Sequence, residues 1–164
     1  MPSYELFTLE SYNFMLIQNI LVAVDGSENS DRAMDFALEL AEKFGSALTV
    51  LNVSEVLAMG VIPQESITYS FDNMSLLGKD LRKIHEEILS KAVSHAKGVK
   101  PDLVVSSLLK DGDPVSEIVN VAKDGGFDAI VIGHKGSSMT RERVLGSISE
   151  KVAHLAPCLV VIVR

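Results

Sequence analysis

Gly133, Gly136, Gly146 and Ser147 follow the spacing Gly-x2-Gly-x9-Gly-Ser inside the stretch "VIGHKGSSMTRERVLGSISEKV". The stretch opens as an apolar run and closes as a helical pattern, and it carries Lys135, Arg141 and Arg143 within an acidic chain. Glycines let backbone N–H groups approach a ligand closely and permit φ > 0. A helix start adds unsatisfied N–H donors and the positive end of a dipole. That combination suits a phosphate chain lying from the strand end to the helix start. The same spacing also fits a flexible connection followed by a capped helix, with Ser147 serving only its own backbone. Spacing alone leaves both readings open.

Other residues narrow the chemistry. Neither G-x-x-x-x-G-K-[ST] nor G-x-G-x-x-G occurs. Asp25, at the end of "VAVD", can accept hydrogen bonds from a ribose or help to hold a hydrated metal ion. It can equally form a turn with Gly26 or cap the next helix. No acidic pair accompanies it, so a phosphoacceptor role is not expected. The four histidines, His85, His95, His134 and His154, lack a metal-ligand spacing. His85 and His95 are expected to be solvated on a charged helix, His134 to be exposed in its loop, and His154 to meet free carbonyls at a helix end. Ser27, Ser137, Ser138 and Ser147 have no evident His/Asp partner and there is no G-x-S-x-G, so no catalytic residue is assigned. Met34 and Met59 are expected to be packing residues.

The elements that must position these groups follow from periodicity. Apolar runs at Ile20–Val24, Ala47–Val53, Leu103–Leu109, Ala129–Ile132 and Leu159–Val163 are nearly continuous, as strands buried on both faces of a parallel sheet are. Between them lie helical patterns. Ser30–Phe44 carries Ala33, Ala37, Leu40, Ala41 and Phe44 on one stripe and stops at Gly45. Lys79–Lys97 carries Leu81, Ile84, Ile88, Leu89 and Ala92. Pro114–Lys123 has Asp113 as N-cap. Ser147–Leu155 opens with a capping-box pattern from Ser147 to Glu150. The order βαβαβαβαβ predicts a doubly wound, Rossmann-like α/β fold, a five-stranded parallel sheet with helices on both faces. Ligands in such sheets bind at the carboxyl ends of the strands.

Composition sets the outer bounds. The chain has 164 residues, 47% hydrophobic and 23% charged, with formal net charge −7. That is one globular domain, and its charge speaks against a general nucleic-acid or anionic-membrane surface. No apolar run reaches the roughly 18 residues of a membrane span, and no basic region marks a signal peptide. Cys158 is the one cysteine, so a reducing cytoplasm is expected. Residues 1–14 match no element and read as an appended tail on a domain running 15–164. The segment 54–78 is long for a connection and reads as an insertion or lid.

"ILVAVDGSENSDRAMDFALELA", "LTVLNV", "DGDPVSEIVNVAKDGGFDAIVIGHKG" and "VLGSISEKVAHLAPCLVVIV" resemble the universal stress protein family, over roughly Ile20 to Arg164. The G-x2-G-x9-G-[ST] pattern resembles that family's ATP-binding branch. The resemblance implies an adenine-nucleotide site for ATP, or AMP or ADP, with Mg²⁺ beside the triphosphate. It implies Asp25 near the ribose or the metal and phosphates, Val53 holding adenine through its backbone, and Gly112 lining the adenine pocket. Gly133 would meet ribose and Gly136 the phosphates. Gly146, Ser147 and Ile148 would give N–H groups to phosphate, with Ser149 a further member of that group. Ala23, where the family usually has Pro, and Ile132 complete the implied site. His134-Lys135 replaces the family's frequent Ser-His and adds positive charge. The resemblance further implies a homodimer through the last strand and a regulatory role in stress response through an unidentified protein partner. A slow ATPase or nucleotide transferase on the same site is the alternative.

Overall fold

The computed structural model describes residues 17–55, 71–136 and 145–164, and for 71–81 the backbone only. The elements are β1 (Asn19–Ala23), α1 (Glu28–Phe44), β2 (Ala47–Ser54), α2 (Phe71–Val99), β3 (Val105–Asp111), α3 (Pro114–Asp124), β4 (Ala129–Gly133), α4 (Ser147–Leu155) and β5 (Leu159–Val163). They form the expected sheet, all parallel, in the order β3-β2-β1-β4-β5. The chain winds outward from β1 to β3, then crosses back to β4 beside β1 and on to β5. The winding therefore reverses between β1 and β4, whose carboxyl ends frame the crevice where such folds bind ligands.

Continuous apolar runs resolve into two faces because side chains alternate along a strand. Ile20, Val22, Leu48, Val50 and Val131 pack against Ala33, Met34, Ala37 and Leu38 of α1 and Leu89 and Ala96 of α2. On the other face, Leu21, Leu51, Ile130 and Ile132 pack against Val115, Ile118 and Ala122 of α3 and Val152 of α4. Burying each such Leu, Ile or Val side chain stabilises the fold by roughly 1.5–3 kcal/mol before entropy is set against it.

Local chemistry sets the boundaries. Ser27 is the N-cap of α1, accepting from Ser30 N at 3.2 Å, although Asn29 and Ser30 are equally suited to capping by residue type. Ser30 turns inward and is buried, its hydroxyl donating to Ser27 O. Gly45 ends α1 in the left-handed region at φ 67°, as its sequence position predicts. The apolar stripe of α1 is rotated from expectation: Met34 and Leu38 are buried, whereas Phe44 is 47% exposed at the last turn. Asp113 caps α3, accepting from Ser116 N at 2.9 Å and Ser116 Oγ at 2.8 Å, with Pro114 behind it. Those bonds, the backbone one foremost, hold its carboxyl below the usual carboxylate range. The second helix starts at Phe71 and not at Lys79. Residues 1–14, Met15, Met59 and the middle of the 54–78 segment lie outside the described residues.

Candidate functional site

The carboxyl ends of β1, β2 and β4 open into a cavity of about 370 Å³. One wall is apolar. Ala23, Leu51, Val53, Ile118, Ile132 and Ile148 all belong to the face of the sheet covered by α3 and α4. The rest of the lining is mostly polar: Asp25, Ser30, Glu55, His85, Lys135 and Ser149, with Gly133 and Gly136, alongside the apolar Val24 and Pro114. This is the make-up of a small-molecule site, apolar surface with a few converging polar groups.

Asp25 follows directly from the end of β1. Its Oδ1 accepts from Ser27 N at 3.0 Å and from Ser27 Oγ at 2.6 Å. The turn role is therefore real, and it fixes the carboxylate at the cavity edge. The other oxygen lies against Gly136, where an added Cβ would sit 2.9 Å from Asp25 Oδ2.

The glycine frame is built by close approach. A Cβ on Gly133 would lie 2.8 Å from Asn29 O, so only glycine lets β4 end against the first turn of α1. A Cβ on Gly146 would lie 3.1 Å from His134 O. Among the described glycines φ is positive at Gly26, Gly45, Gly112 and Gly126, none of them in the frame. Of the two properties glycine offers, close approach and φ > 0, the described frame uses the first: space, not handedness, calls for glycine. The loop is closed at its base, since Gly146 N donates to His134 O at 2.7 Å and His134 N donates to Val163 O at 2.7 Å. Arg141, Arg143, Ser137 and Ser138 lie outside the described residues.

The start of α4 differs from the expected capping box. Gly146 is the N-cap, and no side chain among the described residues caps the helix. Ser147, one residue inside, is exposed, and Ser149 Oγ instead donates to Gly133 O at 2.7 Å, tying α4 to the end of β4. An N-terminus without a side-chain cap keeps its first-turn N–H groups for another acceptor. Lys135 adds a cation to this part of the wall and is only 6% exposed.

Of the residues that the sequence nominates, Ala23, Asp25, Val53, Ile132, Gly133, Gly136, Ile148 and Ser149 line the cavity. Gly112, Gly146 and Ser147 are not in its wall. Gly112 sits in the turn between β3 and α3, where its N–H donates to Ser54 O at 3.0 Å and an added Cβ would meet the Glu117 side chain. Gly146 is buried beneath the loop base.

Two histidines depart from expectation. His85 is half-buried in the cavity wall, not solvated, with Nδ1 2.7 Å from Asn52 Oδ1. Asn52 is itself buried and donates through Nδ2 to Val24 O at 2.7 Å. His134 is held by its backbone, and its buried Nδ1 has no hydrogen-bond partner among the described residues. His95 is exposed as expected, 2.6 Å from Asp35 Oδ1. The sequence also missed Ser30, Glu55, Pro114 and Ile118 in the lining. A readable signal existed for His85, which stands in the i, i+3, i+4, i+7 series with Ile88, Leu89 and Ala92. The polar Asn52 inside the apolar run "LTVLNV" was its counterpart on the sheet.

Comparison with known proteins adds an independent line. The model of the universal stress protein family matches residues 16–164. The universal stress protein YxiE of Bacillus subtilis is 34% identical over 152 residues, covering 91% of this chain and 100% of that protein. A universal stress protein crystallised in complex with cAMP superposes with TM-score 0.66 at 26% identity, covering 92% of this chain and 99% of that one. The universal stress protein from Archaeoglobus fulgidus in complex with dAMP gives TM-score 0.60 at 27% identity, covering 92% and 100%.

Proposed function

The chain belongs to the universal stress protein family, and from that premise we propose that it binds adenine nucleotide in the cavity at the ends of β1 and β4. The observation that carries the reading is the composition of that cavity. One wall is apolar, and the remainder brings Lys135 and Gly136 next to the start of α4, which has no side-chain cap among the described residues. A purine base suits the wall of Leu51, Val53 and Ile118. Phosphate suits the lysine and the helix start. The structural neighbours with cAMP and dAMP support an adenosine monophosphate moiety as the common ligand core.

ATP is the proposed physiological ligand, with AMP or ADP in the same seat. Mg²⁺ takes one or two carboxylates and is otherwise held by phosphate and water. Asp25 and Glu55 are the acidic residues of the lining and fit that limited demand. Bound with the triphosphate, the ion would offset phosphate charge. The proposed role is regulatory: a cytoplasmic protein whose nucleotide state is read by a protein partner, with at most slow hydrolysis. The proposed assembly is a homodimer through β5, which among the described residues pairs with β4 alone and forms the edge of the sheet.

Mass spectrometry of gently purified protein, followed by calorimetric titration of the ligand-stripped chain with ATP, AMP and GTP, tests the reading. Adenine nucleotide should co-purify and rebind, with GTP weaker. Absence of both co-purified and rebound nucleotide would overturn it. Steady release of ADP over many turnovers would favour the enzymatic alternative.

A further inference from the structure

We propose that His85 selects the sugar of the nucleotide, its Nε2 accepting a hydrogen bond from a ribose hydroxyl; this rests on the adenine-nucleotide reading of the cavity. The inference starts from Asn52. Its carboxamide is buried in β2, so both ends need partners. Nδ2 donates to Val24 O at 2.7 Å, which orients the amide and directs Oδ1 at His85. A carboxamide oxygen can only accept, so His85 Nδ1 is the donor in this pair. The neutral ring then carries its lone pair on Nε2.

Position selects the donor that this lone pair meets. Asn52 links the ring to the carbonyl of Val24, one residue before Asp25, so the imidazole is held at the end of β1. The base-sized apolar wall lies on the α3 and α4 face of the sheet. His85 arrives from α2, on the opposite face, where Ile88 and Leu89 pack. Phosphate oxygens are acceptors and do not pair with a lone pair. The sugar lies between base and phosphate and carries neutral O–H donors. A ribose hydroxyl is therefore the group that matches His85 in both place and polarity. The Asn52–His85 bond then also couples ligand occupancy to the seating of α2.

The test compares AMP, 2′-deoxy-AMP and 3′-deoxy-AMP by calorimetry on ligand-stripped protein and on His85→Phe. Wild type should bind AMP about fivefold tighter than one of the two deoxy analogues, the fold-change that one net neutral hydrogen bond supplies. In His85→Phe that ratio should fall to about one. An unchanged ratio overturns the proposal and leaves His85 as a tether for α2. Because the Phe variant also unpairs Asn52 and could unfold, nitrogen-15 NMR of the wild-type imidazole gives a second arm. Nδ1 should be protonated, and Nε2 should be of lone-pair type and shift with AMP but not with the discriminated analogue. The opposite tautomer, or an Nε2 resonance indifferent to AMP, overturns the proposal. AMP binding without sugar selectivity removes this inference alone. No AMP binding at all removes the cavity reading with it.

Discussion

Replacing Gly136 by Ala adds one methyl group at the point where the frame meets Asp25. The backbone of Gly136 is not among the positive-φ glycines, so alanine adds volume without torsional strain. The new Cβ would stand 2.9 Å from Asp25 Oδ2, a separation that real Cβ contacts do not adopt. The carboxylate must rotate, and its other oxygen is held by Ser27 N at 3.0 Å and Ser27 Oγ at 2.6 Å. Hydrogen bonds to a charged group contribute about 1.5–3 kcal/mol when shielded. Asp25 is exposed, so the lower end applies. Displacing the carboxylate and filling space beside the phosphates should weaken ATP binding by tenfold or more, about 1.4 kcal/mol. The melting temperature should fall by only about 2–4 °C, the shift expected from roughly 1 kcal/mol in a chain of this size. Calorimetric titration with ATP, run beside thermal melts of both proteins, measures the two effects separately. Unchanged ATP affinity in a folded variant would refute the reasoning and move the phosphate site away from Gly136.

Gly133→Ala should act on stability first: its Cβ would meet the Asn29 backbone at 2.8 Å, and such overpacking costs about 1–3 kcal/mol, readable as a lower urea midpoint. Asp113→Ala should lower stability most at neutral pH. The folded-state pKa of Asp113 is depressed, so its contribution is full above the unfolded carboxylate value and is lost as pH falls through the folded one. Urea titrations at neutral and strongly acidic pH should therefore show the gap between variant and wild type closing in acid, and a gap independent of pH would contradict the cap. Leu159→Lys places a charge on the most exposed residue of β5, 44% accessible, and should shift the mass in light scattering from two chains to one; a one-chain mass for wild type would dispose of the dimer.

The centre of the sheet was legible because β1 and β4 are buried along most of their length and so read as runs of Val, Ile and Leu, whereas β3, with Ser106 and Ser107 exposed, carries a broken pattern and begins two residues later than the expected Leu103. The ends of elements were less so. Ser27, Asn29 and Ser30 are all good caps by residue type, and only the inward turn of Ser30 and the bond from Ser27 to Asp25 decide among them. The capping box at Ser147 failed for a related reason. Hydrogen bonding across the loop base makes Gly146 the cap and directs the Ser149 hydroxyl to Gly133, and neither partner is adjacent in sequence. The wall residues nominated from strand ends were brought together by the parallel register, which aligns Ala23 with Leu51 and with Ile132. His85 was misread because its neighbours in α2 are mostly charged. A helix needs only a narrow stripe to face the sheet, and His85 stands on it.

The glycine pattern itself takes on a different meaning in three dimensions. Gly133 is required by the backbone of α1, Gly146 by the carbonyl of His134, and Gly136 by the carboxylate of Asp25. Each of these contacts is internal to the protein, so a chain that had lost its ligand would still be under pressure to keep the pattern. The pattern alone therefore supports a closed loop more directly than it supports a nucleotide. The groups that point beyond folding are those the loop does not need for closure. Lys135 places a cationic side chain in the cavity wall although the residue is only 6% exposed. Among the described residues the start of α4 has no side-chain cap, although Ser147 stands next to the cap position. Both features converge on one cavity, at the point where the winding of the sheet reverses, and an anionic ligand there would satisfy both.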